Sequence, residues 1–282
     1  MPTVKIDGID TRYEIVGDGP ALLMFSPGGF DARLEKWSNL GVYKRIKLLN
    51  HLPQKFQCIT FDRRENGQSG GRVERITWMD FVRQGAGLLD HLKIEKAHLM
   101  GGCMGCCPVS AFAVAHPTRV LSMVHYWPVG GANYRISSHQ RFARHLAFVE
   151  EQGLQAVVEL VHSHDKNFSA DPRGGPWAQP IRNSEEFAQM YSALDQRRYL
   201  LIVAAMYRGL IDRDTVPGAE PEDLMTLDIP SLIVPGSDGF HSTSAARYLQ
   251  ECLNGSIYWD VPTDKQTEIN APQRVLEFLT SL

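Results

Sequence analysis

Hydrophobic and polar positions along this chain follow two rhythms. Val4-Lys5-Ile6 and Arg12-Tyr13-Glu14-Ile15-Val16 alternate with period two, which predicts strands with one buried face. Ala21-Leu22-Leu23-Met24-Phe25 is apolar throughout, and similar runs follow at residues 56–61, 98–100, 120–124 and 231–234. Continuous runs of that length suit central parallel strands, which are covered on both faces. Helical spacing fills the intervals, as at residues 78–92 and 106–116. Strands alternating with helices predict an α/β fold with a mostly parallel, doubly wound sheet.

Between residues 136 and 228 the strand rhythm stops. Helices are expected at 140–151, 154–164, 184–194 and 197–211, interrupted by Asp171-Pro172-Arg173-Gly174-Gly175-Pro176. A helical block between two core strands reads as a cap over the carboxyl edge of the sheet, where open α/β sheets bind ligands. The expected division is a core of residues 1–130 and 226–282 with a helical cap of 131–225. Its aromatic candidates for substrate contact are Tyr134, Phe148, Trp177, Tyr191 and Tyr207.

Composition narrows the function classes. The 282 residues are 43% hydrophobic with a formal net charge of -3. No basic block implies nucleic acid as a partner. No leader-like segment or membrane-length apolar run is present, so the expected location is cytoplasmic and the expected partner a small-molecule substrate. A homodimer is left open. Cysteines stand at 58, 103, 106, 107 and 252. The Cys103–Cys106 spacing lacks the further ligands that a metal site needs, so neither metal nor cofactor is expected.

The chemistry concentrates at Gly101-Gly102-Cys103-Met104-Gly105. It follows a short strand and opens a helix, as in a nucleophile elbow, where a sharp turn presents one side chain at its tip. The amides of a helix N-terminus favour the thiolate there, the form that attacks carbonyl carbon. Cys103 is therefore the candidate nucleophile.

Together these segments resemble the α/β-hydrolase superfamily, especially its capped, esterase-like members. Residues 97–105 resemble that family's elbow with cysteine in place of the usual serine. Asp62-Arg63-Arg64-Glu65-Asn66-Gly67-Gln68-Ser69 resembles its D-x-R-G-x-G-x-S loop, with Glu65 replacing the first glycine. Ala115-His116-Pro117-Thr118-Arg119-Val120 resembles the lead into the next strand, and residues 230–238 the strand and turn carrying the catalytic acid. The resemblance implies an oxyanion hole from the Met104 amide and that of Gly29 or Phe30, and Asp238 as the acid. It also implies a histidine between the last strand and last helix. There the chain reads Pro262-Thr263-Asp264-Lys265-Gln266-Thr267-Glu268-Ile269-Asn270, with Lys265 or Gln266 at the equivalent position.

His241, three residues beyond Asp238, is expected to be a loop residue unable to turn back onto the acid. Of the cap histidines, His139, His145, His162 and His164, one reaching down over Cys103 would supply a base. A cysteine without a histidine retains roughly a few per cent thiolate near neutral pH, whereas protonating a poor leaving group or activating water needs a general acid–base. The expected activity is hydrolysis of a small ester, lactone or thioester. The rivals are a hydrolysis-deficient binding protein and a C–C lyase or acyltransferase on the same scaffold.

Overall fold

The computed structural model describes residues 1–282. Eight strands form one sheet: β1 (Thr3–Ile6), β2 (Ile9–Val16), β3 (Ala21–Phe25), β4 (Gln57–Phe61), β5 (Ala97–Gly102), β6 (Val120–Tyr126), β7 (Ser231–Val234) and β8 (Ile257–Tyr258). Their order is β1-β2-β4-β3-β5-β6-β7-β8. β2 is antiparallel to both β1 and β4, and all other pairs are parallel.

The unbroken apolar runs have a direct cause. Leu23, Phe25, Ile59 and Leu99 point into one buried cluster, while Leu22, Met24, Cys58 and Met100 point into another. Successive side chains of a strand face opposite ways, so a sheet sandwiched between helices needs apolar residues at every position. Helices Trp78–His91, Cys106–Ala115, Thr243–Cys252 and Asn270–Thr280 supply the cover. The first starts at a capping box in which the Thr77 amide donates to Asp80 Oδ2 at 2.7 Å.

Between β6 and β7 the chain is helical and contains no strand. Helix Ala132–Ser163 is broken at Gly153, whose φ of 80° and ψ of 174° are not helical. The expected pair of helices thus meets at that glycine, and the first starts eight residues earlier than its apolar spacing suggests. Helices Ala178–Asn183, Glu185–Ser192 and Gln196–Leu210 complete the block. Its centre is polar but satisfied: His145 Nε2 lies 2.6 Å from the Tyr199 hydroxyl, which also accepts from Tyr191 at 2.6 Å. Burial pushes His145 down to about 4, so this histidine is neutral. No helix is long and apolar enough to cross a membrane.

The bend after β5 explains the glycines around Cys103. A Cβ on Gly101 would lie 2.4 Å from the Gly105 carbonyl oxygen, and one on Gly105 would lie 2.2 Å from the Phe25 carbonyl oxygen. Both obstacles are backbone, which cannot rotate aside. Cys103 itself has a φ of 54°, a left-handed conformation that non-glycine residues adopt only where the surroundings enforce it. Gly105→Ala is expected to destabilise the protein by about 1–3 kcal/mol through overpacking, read as a lower urea midpoint at unchanged slope.

Candidate active site

Cys103 stands at the tip of the bend between β5 and helix Cys106–Ala115, partly buried and facing a cavity of about 360 Å³. The other four cysteines are buried. Burial drives the Cys106 and Cys107 thiols well above their ordinary range and pushes Cys58 up to about 12. Cys103 moves the other way. Burial again opposes its ionisation and is the largest single effect, but it is outweighed by His241 and by the amides of Gly28 and Met104.

His241 is the residue whose role the sequence concealed. The Asp238 Oδ1 atom accepts from the backbone amides of Phe240 at 2.8 Å and His241 at 3.0 Å. This is an Asx-type turn, in which an aspartate folds the following backbone around its own carboxylate. The turn brings the His241 ring back so that Nδ1 lies 2.8 Å from Asp238 Oδ1 and 2.9 Å from Oδ2. A separation of three residues is therefore sufficient, contrary to expectation, because the chain does not run straight on from the acid.

Three neighbours hold that turn. The Gly130 amide donates to the Phe240 carbonyl at 3.0 Å. The Trp127 ring lies 5.6 Å from the imidazole, centroid to centroid. Ser242 caps helix Thr243–Cys252 by accepting from the Ala245 amide at 3.3 Å. The outer ring nitrogen, Nε2, is buried without a hydrogen-bond partner; His241 and Cys103 line the same cavity and are electrostatically coupled. Desolvation lowers the basicity of His241, but Cys103 and the Asp238 carboxylate together raise it well above that of an ordinary imidazole. Hydrogen bonding from His241 in turn holds Asp238 down to about 2. The arrangement favours a thiolate–imidazolium pair backed by a carboxylate.

The loop after β3 faces the same sulfur. Arg63, fully buried, donates through one guanidinium nitrogen to the Gly28 carbonyl and, at 2.7 Å, to the Gly29 carbonyl. In a trans peptide the N–H points opposite to the C=O. Fixing those two carbonyls on Arg63 therefore turns the Gly29 and Phe30 amides the other way, and both residues line the cavity beside Cys103 and Met104. No backbone carbonyl accepts from the Gly28, Gly29 or Phe30 amide. Arg63 and the Gly28 amide were not singled out from sequence; a buried arginine next to a conventional motif aspartate gives no periodic or spacing signal.

Two expected site residues lie elsewhere. The Lys265 side chain is 73% exposed, lies 3.7 Å from Asp264 and is absent from the cavity wall that holds Cys103. Gln266 is fully buried but points into the protein. Its Oε1 accepts from Tyr126 at 3.0 Å and Trp127 at 2.8 Å, and its Nε2 donates to the Pro235 and Val261 carbonyls at 3.1 Å each. With its carboxamide fully engaged, Gln266 braces the floor of the site. The helical-block histidines are also absent from the cavity wall: His139, His145 and His162 are bonded to backbone carbonyls, and His164 to Asp171. Of the five aromatic candidates only Tyr134 lines the cavity; Trp177 and Tyr191 are fully buried within the helical block.

Residues 21–158 match the family model described as alpha/beta hydrolase fold. The chain is 30% identical over 159 residues to the dihydrolipoyllysine-residue acetyltransferase component of the acetoin cleaving system of Cupriavidus necator, covering 55% of this chain but only 39% of that protein. It is 23% identical to 3-oxoadipate enol-lactonase 1 of Acinetobacter baylyi over 81% of this chain and 79% of that one. Among solved structures, a thermophilic esterase from Thermogutta terrifontis superposes with a TM-score of 0.66 at 21% identity, covering 100% of this chain and 99% of the esterase.

Iodoacetamide is expected to alkylate Cys103 ahead of the other four thiols, with the midpoint of its rate–pH profile below that of an ordinary thiol. In His241→Ala the opposing burial is left dominant, so the midpoint of the rate–pH profile moves upward; an unmoved midpoint would refute the pairing. Gln266→Met is expected to lose roughly 1–3 kcal/mol of stability by orphaning buried polar groups. Lys265→Ala should stay within about 0.5 kcal/mol, both compared by urea denaturation.

Proposed function

We propose that this chain, which has the α/β-hydrolase fold, hydrolyses a small carboxylic ester, lactone or thioester with Cys103 as nucleophile, His241 as acid–base and Asp238 as the orienting acid. The observation that carries this reading is that Cys103 shares the wall of one cavity with Asp238 and His241, whose side chains are 2.8 Å apart. The rival reading, a hydrolysis-deficient binding protein, rested on a missing histidine, and His241 beside Asp238 in the cavity wall weighs against it.

In the first half-reaction the Cys103 thiolate adds to the substrate carbonyl carbon, and the carbonyl π electrons move onto oxygen. The Met104 amide and the Gly29 or Phe30 amide stabilise that oxyanion. Donors already fixed in a water-poor site contribute more than the same groups in water, because nothing must reorganise as charge develops. The tetrahedral species then collapses, the bond to the leaving oxygen or sulfur breaks, and the His241 imidazolium supplies that atom's proton. In the second half-reaction neutral His241 takes a proton from water, whose oxygen displaces Cys103 from the acyl carbon. The products are a carboxylic acid and the restored thiolate–imidazolium pair.

Residues 131–225 act as the cap in this reading. Support comes from Tyr134, Phe142, Phe168 and Ile211, which wall the cavity together with Cys103. The lining is largely apolar, which excludes water and suits a short acyl chain.

Cys103→Ala is expected to abolish turnover of p-nitrophenyl and S-phenyl acyl substrates. His241→Ala should lower kcat by roughly 10²–10⁴-fold, the usual contribution of a general acid–base, and a mass spectrum of the quenched wild-type reaction should contain an acyl adduct on Cys103. Turnover that survives Cys103→Ala would rule the reading out.

A further inference from the structure

The helix Ala132–Ser163 presents Tyr134, Ser138 and Arg141 to the cavity. Their spacing, four then three residues, places all three on one helix face. Arg141 is the one basic side chain in that wall that the Cys103–His241–Asp238 alignment does not use. The cation is lowered from its usual range by burial, and the group that partly restores it is the Tyr134 hydroxyl; no carboxylate contributes. Its guanidinium lies 5.9 Å from the Phe240 ring centroid, next to the turn that carries Asp238 and His241.

Tyr134 makes the cluster more than a lone cation. The residue is 5% exposed, its hydroxyl is buried, and that hydroxyl has no hydrogen-bond partner. An orphaned buried donor costs about 1–3 kcal/mol, and a half-buried guanidinium without a counter-charge adds to the cost. Both are offset together by one acceptor-rich anion entering the cavity. A planar carboxylate matches the fork of an arginine and still has lone pairs for hydroxyl donors. A cavity of about 360 Å³ accommodates a short acyl chain carrying such a group.

We infer that Arg141, Tyr134 and Ser138 form a carboxylate-binding subsite, so that the preferred substrate is a short ester, lactone or thioester bearing a free carboxylate away from the reacting carbonyl. The inference rests on the hydrolase reading above, and two readouts separate its failure from the failure of that reading. The first compares S-phenyl thioesters of succinate, which keeps one free carboxylate, and of pentanoate, which has none. The wild-type kcat/KM preference for the succinyl thioester should fall by roughly 10–100-fold in Arg141→Met, the range expected for a charge-assisted hydrogen-bonded contact. Arg141→Lys should recover part of it, and Tyr134→Phe should lower it less.

The second readout needs no turnover. Succinate should protect Cys103 of the wild type from iodoacetamide, succinamide should not, and Arg141→Met should erase the difference. Protection by succinate with neither thioester hydrolysed upholds the subsite and sinks the hydrolase reading. Hydrolysis of both thioesters with a ratio unchanged in Arg141→Met, and no selective protection by succinate, overturns the subsite alone.

Discussion

The site depends on two charges that are stable only together. Burial disfavours the Cys103 thiolate and the His241 imidazolium individually, and on each it is the largest single influence. Yet the thiol is held below its ordinary range and the imidazole above its own. Opposite charges in close contact away from bulk water attract far more strongly than exposed ones, and Asp238 and two backbone amides push the same way. Cys106 and Cys107, one helical turn further on, share the burial but have no histidine beside them; Arg63 pulls the Cys107 thiol down, yet burial wins at both. Position at a helix start is thus insufficient to activate a thiol in this fold; the facing histidine decides.

That pairing is built from unusually local pieces. Acid and base come from one turn, Asp238 to His241, whose backbone amides bond to the same carboxylate that orients the imidazole. The turn is anchored at one end by Gly130 and at the other by the cap on helix Thr243–Cys252. In the proposed reaction the segment after β8 supplies neither acid nor base, and Gln266 uses its position differently. It ties Tyr126 and Trp127 at the end of β6 to Pro235 at the end of β7. Trp127 is also the ring packed against His241. Gln266 therefore supports the Trp127–His241 packing from behind, and replacing it with histidine would forfeit the four hydrogen bonds of its carboxamide.

The fold and the sharp bend that carries Cys103 were legible because they are written in local patterns. Unbroken apolar runs marked strands covered on both faces, and glycines two residues either side of Cys103 marked a turn with no room for side chains. His241 was not legible. Whether a residue three positions after an aspartate meets its carboxylate depends on the turn between them, and spacing alone describes an extended chain equally well. Arg63 was hidden for a related reason: its importance comes from two carbonyls 34 and 35 residues away in sequence. Lys265 and Gln266 were misread because motif position was treated as spatial position. One of them faces solvent and the other faces the interior.

The presence of a strongly basic imidazole changes which substrates suit this thiol. In the proposed reaction a resting imidazolium is already charged for its first task, protonating the leaving atom, so attack by the thiolate need not wait for a proton transfer. The second task is harder. Once the acyl group has removed the negative sulfur, His241 loses the partner that raised its basicity and becomes easier to deprotonate, at the step where a neutral base must activate water. The same electrostatic coupling therefore adjusts the histidine in the right direction for each half-reaction. A serine at position 103 would lack this alternation, because an uncharged hydroxyl neither raises the histidine in the resting state nor releases it after acylation.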